Sequence, residues 1–453
     1  MNRRHFLGAA MGGAFSTARA QSRPPNIIVI LADDLGYGDL GCQGSRIRTP
    51  NIDRMAAEGA RFTNFYAASS LCSPSRAALL TGRYPVRMNI PSVLFPNDTR
   101  GIPETETTMP QMLRSGGYRT ACVGKWHVGD RAQYLPVSRG FDEFLGLPYS
   151  HDMLPLRLMR GEEVLTTEPR LESLTQTFTE EAVNFIGRNT ENPFFLYLAH
   201  TTPHIPLLAG RQFRGKSRFG PYGDNVEELD WSVGQILRAV GEQGLDGNTM
   251  VVFTSDNGPW YQGSKGTLRG RKGETFEGGM RVPFIVRMNG SIPAGRVISS
   301  MATMMDLMPT AARLGGVSRP GLPLDGVDIW PVLNGETDEV RRPPFLYFES
   351  WQLQCARVGN KKLHLSRYNL PPWTPGPARV NLPLARPELY DMESDPEESY
   401  DEAPDFPEAV AQIRTQVEEA LLTFPDAVRS AYRNTMLLRV EDTPAGAYPV
   451  QAQ

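Results

Sequence analysis

Between Asn26 and about Pro331 the chain alternates short runs of β-branched and aliphatic residues with longer stretches whose apolar positions recur every three or four residues. Such alternation is the pattern of a parallel sheet with helices packed on its faces. It predicts strands at Ile27–Ala32, Thr120–Val123, Phe194–Ala199, Met250–Thr254 and Phe284–Arg287. Helices are predicted at Ile52–Glu58, Pro74–Thr81, Met109–Arg114, Leu174–Arg188, Glu227–Glu242 and Met304–Leu314. Thr81-Gly82 and Leu314-Gly315 place glycine where a left-handed C-cap forms most easily. Around Asn334–Pro344 the sequence turns polar and proline-containing. Beyond it, β-like pieces at Phe345–Phe348 and Lys362–Leu365 and a helix near Glu408–Leu422 predict a smaller unit, with Pro371–Pro377 as a loop. The expected fold class is α/β: a large, mostly parallel sheet sandwiched by helices over residues 24–335, and a small C-terminal α+β domain over 340–440.

The first twenty residues break the pattern. Arg3-Arg4-His5-Phe6-Leu7-Gly8 is followed by a short apolar segment and then Ala18-Arg19-Ala20. That is a charged n-region, an h-region and a small-residue cleavage site, and the paired arginines resemble a twin-arginine export signal. Residues 1–20 are therefore read as a signal peptide, with the mature chain starting near Gln21. The expectation is an exported protein, periplasmic or extracellular, with the twin-arginine export machinery as a partner.

With 453 residues and a formal net charge of −3, the chain has ample apolar material for a core and no basic tract to engage nucleic acid. After the N-terminus no apolar run is long enough to span a bilayer, so an integral membrane role is not expected. Four cysteines, Cys42, Cys72, Cys122 and Cys355, are too few and too scattered for a disulfide framework.

Ligands of open parallel sheets bind beyond the carboxyl ends of the strands. Here Ile27–Ala32 runs into Asp33-Asp34, Thr120–Val123 into Gly124, Lys125, Trp126 and His127, Phe194–Ala199 into His200 and His204, and Met250–Thr254 into Ser255, Asp256 and Asn257. Each acidic pair alone also suits a turn. Together, adjacent carboxylates with an amide suit a hard cation, calcium first and magnesium second. His127, His151, His200 and His204, with Lys125 and Lys272, suggest a site for a doubly charged oxyanion and an acid for its leaving group. Arg269-Gly270-Arg271-Lys272-Gly273 also reads as a solvated basic loop.

Cys72 stands just before a predicted helix, with Pro74 in its first turn. A group there faces free N–H donors and the positive end of the helix dipole, which suits an anionic nucleophile. Thiol catalysis and a purely structural buried cysteine both remain open on these grounds.

At this point the residues resemble a known family, the formylglycine-dependent sulfatases, in the arylsulfatase A-like branch of the alkaline phosphatase superfamily. The match runs from Pro25 to about Pro331 and rests first on Cys72-Ser73-Pro74-Ser75-Arg76 with Ala77–Thr81, Gly82 and Arg83. Asn26–Asp34, Gly124–His127, Pro203-His204-Ile205-Pro206, Ser255–Gly258 and Lys272–Gly279 follow in family order, and Leu389-Tyr390-Asp391 with Asp395-Pro396-Glu397 extends it. The resemblance implies an alkaline phosphatase-like fold and a sulfuric ester hydrolase. It implies that a maturation enzyme oxidises Cys72 to formylglycine, whose hydrated form attacks sulfur. It further implies that Asp33, Asp34, Asp256, Asn257 and the modified residue 72 hold Ca2+, that Arg76 steadies the nucleophile, and that Lys125 and Lys272 neutralise sulfate. His204 would protonate the departing alcohol, His127 would take a proton from the second hydroxyl, and Ser150 would contact sulfate. His151 and His200 have no secure counterpart, and His200 stays outside the catalytic set.

The branch's vertebrate members carry structural disulfides that these cysteines do not match. Loops Pro91–Pro103, Met153–Pro169, Pro206–Tyr222 and Pro371–Pro383 are particular to this chain, and such loops choose the alcohol half of a substrate. A sulfated sugar or aryl sulfate is the expected substrate. A phosphonate or phosphodiester hydrolase of the same superfamily, and a silent binder of sulfated glycans, are the alternatives.

Overall fold

The computed structural model describes residues 23–374 and 376–438; the N-terminal export reading lies outside them. A ten-stranded sheet runs through the larger part in the order Arg296–Ile298, Ala60–Phe62, Phe284–Arg287, Thr249–Ser255, Asn26–Ala32, Phe194–Ala199, Arg119–Lys125, Glu143–Leu147, Leu158–Arg160, Glu163–Thr166. The five strands from Thr249–Ser255 to Glu143–Leu147 in that order are mutually parallel. Alternation along Asn26–Ala32 explains why it sits at the centre: Ile27, Val29 and Leu31 enter the core on one face, while Ile28, Ile30 and Ala32 enter the core on the other. Each buried aliphatic side chain of this kind contributes roughly 1.5–3 kcal/mol.

Helices Leu174–Arg188 and Gly220–Glu242 cover one face, and Cys72–Thr81 and Leu307–Gly315 contribute to the core on the opposite face. Four expectations shift. Phe284–Arg287 is antiparallel to Thr249–Ser255, because the intervening chain loops over the carboxyl edge and re-enters the sheet from that same side. The Cys72 helix starts at Cys72 itself, so this residue lies inside the first turn and not ahead of it. Gly220, at φ +63°, and Pro221 start the long helix seven residues before the predicted Glu227. Met304–Asp306 forms a 3-10 turn before the helix Leu307–Gly315, and Gly316, not Gly315, takes the left-handed cap at φ +62°.

Beyond the large sheet, Phe345–Glu349, Gln352–Val358, Lys361–Tyr368 and Asn381–Asp391 form an antiparallel sheet in chain order, followed by helices Pro407–Leu421 and Asp426–Leu437. Its apolar residues share one core with a face of the large sheet. A buried charge network locks the junction. Glu277 takes Lys362 Nζ at 3.0 Å, Arg281 Nη2 at 2.7 Å and Tyr66 Oη at 2.6 Å, and Lys362 also pairs with Glu398 at 2.9 Å. The four cysteines are all free thiols, so no disulfide supplements the core.

Candidate active site

The site forms where three parallel strands end level. Asn26–Ala32 runs out into Asp33 and Asp34, Arg119–Lys125 ends on Lys125, and Thr249–Ser255 runs out into Asp256 and Asn257. Register pairs Ala32 with Ser255 and Gly124 with Ala199, which brings these ends to one edge. Glycine at 124 is a structural requirement: φ is +111°, and a Cβ there would fall 1.9 Å from the Ala199 carbonyl oxygen. Asp34 and His127 also have positive φ, +65° and +61°. Such backbone is uncommon outside glycine and gathers at functional sites.

The helix Cys72–Thr81 delivers Cys72, 2% exposed, with Sγ 3.6 Å from Asp33 Oδ1 and 4.0 Å from Asp34 Oδ1. Ligand-type atoms of Asp33, Asp34, Cys72 and Asp256 all lie within 4.8 Å of one another. Buried cations oppose these carboxylates. Lys125 Nζ donates to Asp33 Oδ2 at 2.6 Å, Lys272 Nζ to Asp34 Oδ2 at 2.8 Å, and Arg76 Nε to Asp256 Oδ2 at 2.9 Å. Arg76 also donates to the Lys125 carbonyl at 2.8 Å, joining the Cys72 helix to the neighbouring strand end. Matched charges with fixed hydrogen bonds are what make burial of so many ions tolerable.

Asp33 and Asp256 respond differently to this environment. Burial pushes Asp33 up, but Lys125 and then Arg76 overcome it and hold the carboxyl well below its usual range. Burial and the adjacent Asp33 raise Asp256 to about 6, against the pull of Arg76. Burial also raises the Cys72 thiol, with Lys125 and Lys272 offsetting only part of the effect. A thiol so protonated is a poor nucleophile near neutrality. The side-chain amide of Asn257 donates to Asp34 Oδ1 at 2.7 Å, leaving its buried Oδ1 without a hydrogen-bond partner. Three carboxylates and an uncommitted amide oxygen make an all-oxygen donor set that fits a hard divalent cation.

The two flanking histidines are set differently by their partners. His204 Nδ1 lies 2.5 Å from the Ile205 carbonyl and therefore carries hydrogen, while Nε2 lies 3.7 Å from Asp34 Oδ2. His127 is the reverse: Nε2 bonds the Leu94 carbonyl at 3.0 Å, and buried Nδ1 has no hydrogen-bond partner. Burial first, then Lys125 and Arg76, pull His127 well below its ordinary value and keep it neutral. Its free Nδ1 lone pair is a proton acceptor.

Three buried cations and two histidines with opposite ring nitrogens engaged now stand around Cys72. A family model described as "Sulfatase" matches residues 25–317. The chain belongs to the sulfatase family. It is 40% identical to arylsulfatase A of Bos taurus, covering 88% of this chain and 89% of that protein. It is 41% identical to N-acetylgalactosamine-6-sulfatase of Sus scrofa, covering 76% and 72%. The crystal structure of the PsFucS1 sulfatase from Pseudoalteromonas sp. superposes with a TM-score of 0.82 at 31% identity, covering 92% of each chain. The chain is accordingly a sulfuric ester hydrolase.

Against this sulfatase framework, His200 and His151 separate. His200 turns away, its Nε2 3.0 Å from Ser232 Oγ on the long helix, so it is a packing residue. His151 turns in: its ring centroid is 5.4 Å from that of His204, and its ligand-type atom clusters with those of Asp33 and His204. Ser150, buried beside it, follows the strand Glu143–Leu147. Lys272 is 6% exposed, so the basic loop reading fails for it. Sequence reasoning gave no role to the Leu94 carbonyl or to Ser73 Oγ, which accepts the Leu94 N–H at 3.0 Å and so braces the carbonyl that orients His127. A backbone carbonyl carries no residue-type signal.

Proposed function

We propose that this sulfatase cleaves the sulfate ester of a sulfated sugar or aryl sulfate through a formylglycine made from Cys72 and a bound Ca2+, with Mg2+ second. The carrying observation is the convergence of Asp33, Asp34, Cys72 and Asp256 within 4.8 Å, crossed by buried Lys125, Lys272 and Arg76. Asp33, Asp34, Asp256 and Asn257 hold the cation together with the modified side chain at 72. Bound there, the cation supplies Lewis-acid polarisation of sulfate, and the hydrated aldehyde supplies the attacking oxygen.

The chain's own residues do the rest. Lys125 and Lys272 neutralise sulfate oxygens, with Ser150 beside them. Arg76 holds the nucleophile's surroundings in register through Asp256 and Asp33. His204 Nε2 gives a proton to the departing alcohol. His127 Nδ1 takes a proton from the nucleophile's second hydroxyl as sulfate leaves, and solvent exchange resets both histidines.

A maturation enzyme supplies the oxidation of Cys72, and the twin-arginine-like residues 1–20 support export to the periplasm or beyond. Native and peptide mass spectrometry of active protein test the centre together. The expected result is an aldehyde, not a thiol, in the peptide containing residue 72, and one divalent ion that Asp256→Asn fails to retain. A thiol at 72 in fully active material, or turnover surviving Cys72→Ala, would overturn the proposal.

A further inference from the structure

The rim beside Lys272 carries a feature that the sulfate chemistry does not use. The Lys272 N–H donates to the Pro259 carbonyl at 3.1 Å, tying the stretch after Asn257 to the lysine's own segment. Trp260 follows, its ring 4.8 Å from Tyr261 and 5.4 Å from Trp373, both edge-to-face. Trp373 comes from the proline-rich loop of the C-terminal part and lies over the backbone next to Lys272. A Cβ on Gly273 would fall 2.8 Å from Pro372 Cβ and 3.5 Å from Trp373 Cζ2.

These rings are not filling a core: Tyr261 is 64% and Trp373 50% exposed. Trp373 also holds φ at +71°, a conformation that costs a bulky residue energy and points to a constraint other than packing. The group is fixed in place, since Arg271 Nη1 donates to the Trp260 and Gly263 carbonyls at 3.0 and 2.9 Å. The rings therefore border the backbone of the segment that delivers Lys272 to the site.

The neighbouring loop is basic. Arg211, Arg214, Lys216 and Arg218 follow His204, are all exposed, and have no carboxylate partner among the described residues. Strand Phe194–Ala199 is parallel to both its neighbours and leads into this stretch, which therefore leaves the sheet at its carboxyl edge, as the site does. The first turn of the helix that follows meets the aromatic segment: a Cβ on Gly263 would fall 2.4 Å from Tyr222 Oη and 2.6 Å from Pro259 Cβ.

We propose that Trp260, Tyr261 and Trp373 form a stacking platform for the sugar ring next to the sulfated unit, and that the Arg211–Arg218 loop holds further anionic groups of the same oligosaccharide. Exposed rings flanked by arginines suit the C–H face of a hydroxylated ring, while four unpaired cations suit a ligand with several negative charges. The inference rests on the sulfatase reading and specifies the substrate as a multiply charged oligosaccharide.

The test compares sulfated tetrasaccharides of galactose, N-acetylgalactosamine, glucosamine and fucose with the matching sulfated monosaccharides. For the best tetrasaccharide, Trp373→Ala should raise KM by roughly five- to tenfold with kcat unchanged, and Trp373→Tyr should recover most of the loss. The monosaccharide should not distinguish the variants. Added salt should raise KM for the tetrasaccharide more steeply than for the monosaccharide, and joint Gln replacement of the four cations should remove that difference. Equal changes on both substrates, or none on either, would overturn the platform. Failure of the catalytic reading shows separately, as no turnover by the wild type. Tetrasaccharide binding to Cys72→Ala, with and without Trp373→Ala, then decides the platform, and equal affinity rejects it.

Discussion

At the scale of single residues, the catalytic proposal turns on which ring nitrogen each histidine has free. His204 keeps Nε2 toward Asp34 because Nδ1 is engaged by the Ile205 carbonyl, and His127 keeps Nδ1 free because Nε2 is engaged by Leu94. If His204 delivers the proton to the leaving alcohol, His204→Gln should cost about 10²–10⁴ in kcat for a sugar sulfate. The loss should be much smaller for 4-nitrophenyl sulfate, whose leaving group needs little protonation. Steady-state kinetics on both substrates measure this, and an equal loss on both removes His204 from the acid role. Most of these residues were legible from sequence, because carboxylates, lysines and histidines directly after buried strands announce themselves by type. His151 was visible but unassigned: nothing in its local sequence says that its ring will meet His204.

Elements carry the next layer of precision. The carbonyl of Gly124 closely faces Gly146 in the neighbouring strand, while Ala199 closes on Gly124 from the other side. Lys125 takes its position from this tight three-strand seam. Gly124→Ala should therefore lose at least about 2 kcal/mol in denaturant unfolding, together with most activity, whereas Gly187→Ala, in a helix with open space around it, should be near neutral. A wild-type denaturation midpoint for Gly124→Ala would contradict this account of the seam. The central strands were readable because they are continuous apolar runs. Ala60–Phe62 and Arg296–Ile298 were not, since three residues are too few to show a period. Asn381–Asp391 contains Pro383 and Pro387, which argue against a strand; it is tolerated here because it lies at the sheet edge.

For the molecule as a whole, buried ionisable groups set how stability changes with pH. Burial lowers His200 to about 3. Glu277 is also held low: burial opposes its charge, but Lys362 and Arg281 prevail. Both groups bind fewer protons folded than unfolded. Their stabilisation is complete above the unfolded values, roughly 6.5 for histidine and 4.3 for glutamate, and is lost as pH falls through those values toward the folded ones. Asp256, raised to about 6, works in the opposite direction as pH falls, so the measure is a difference: from about pH 7 to 4 the wild-type denaturant midpoint should fall relative to that of His200→Gln. A constant difference across that range would exclude His200 as a source of the pH dependence.

The junction at Glu277 also joins distant stretches of the chain. Glu277 lies five residues beyond Lys272 and shares its charge between Arg281, four residues on, and Lys362 of the small antiparallel sheet. Lys362 in turn reaches Glu398. Segments more than a hundred residues apart are thus fastened to one carboxylate, and the smaller unit is part of the frame that steadies the stretch bearing Lys272.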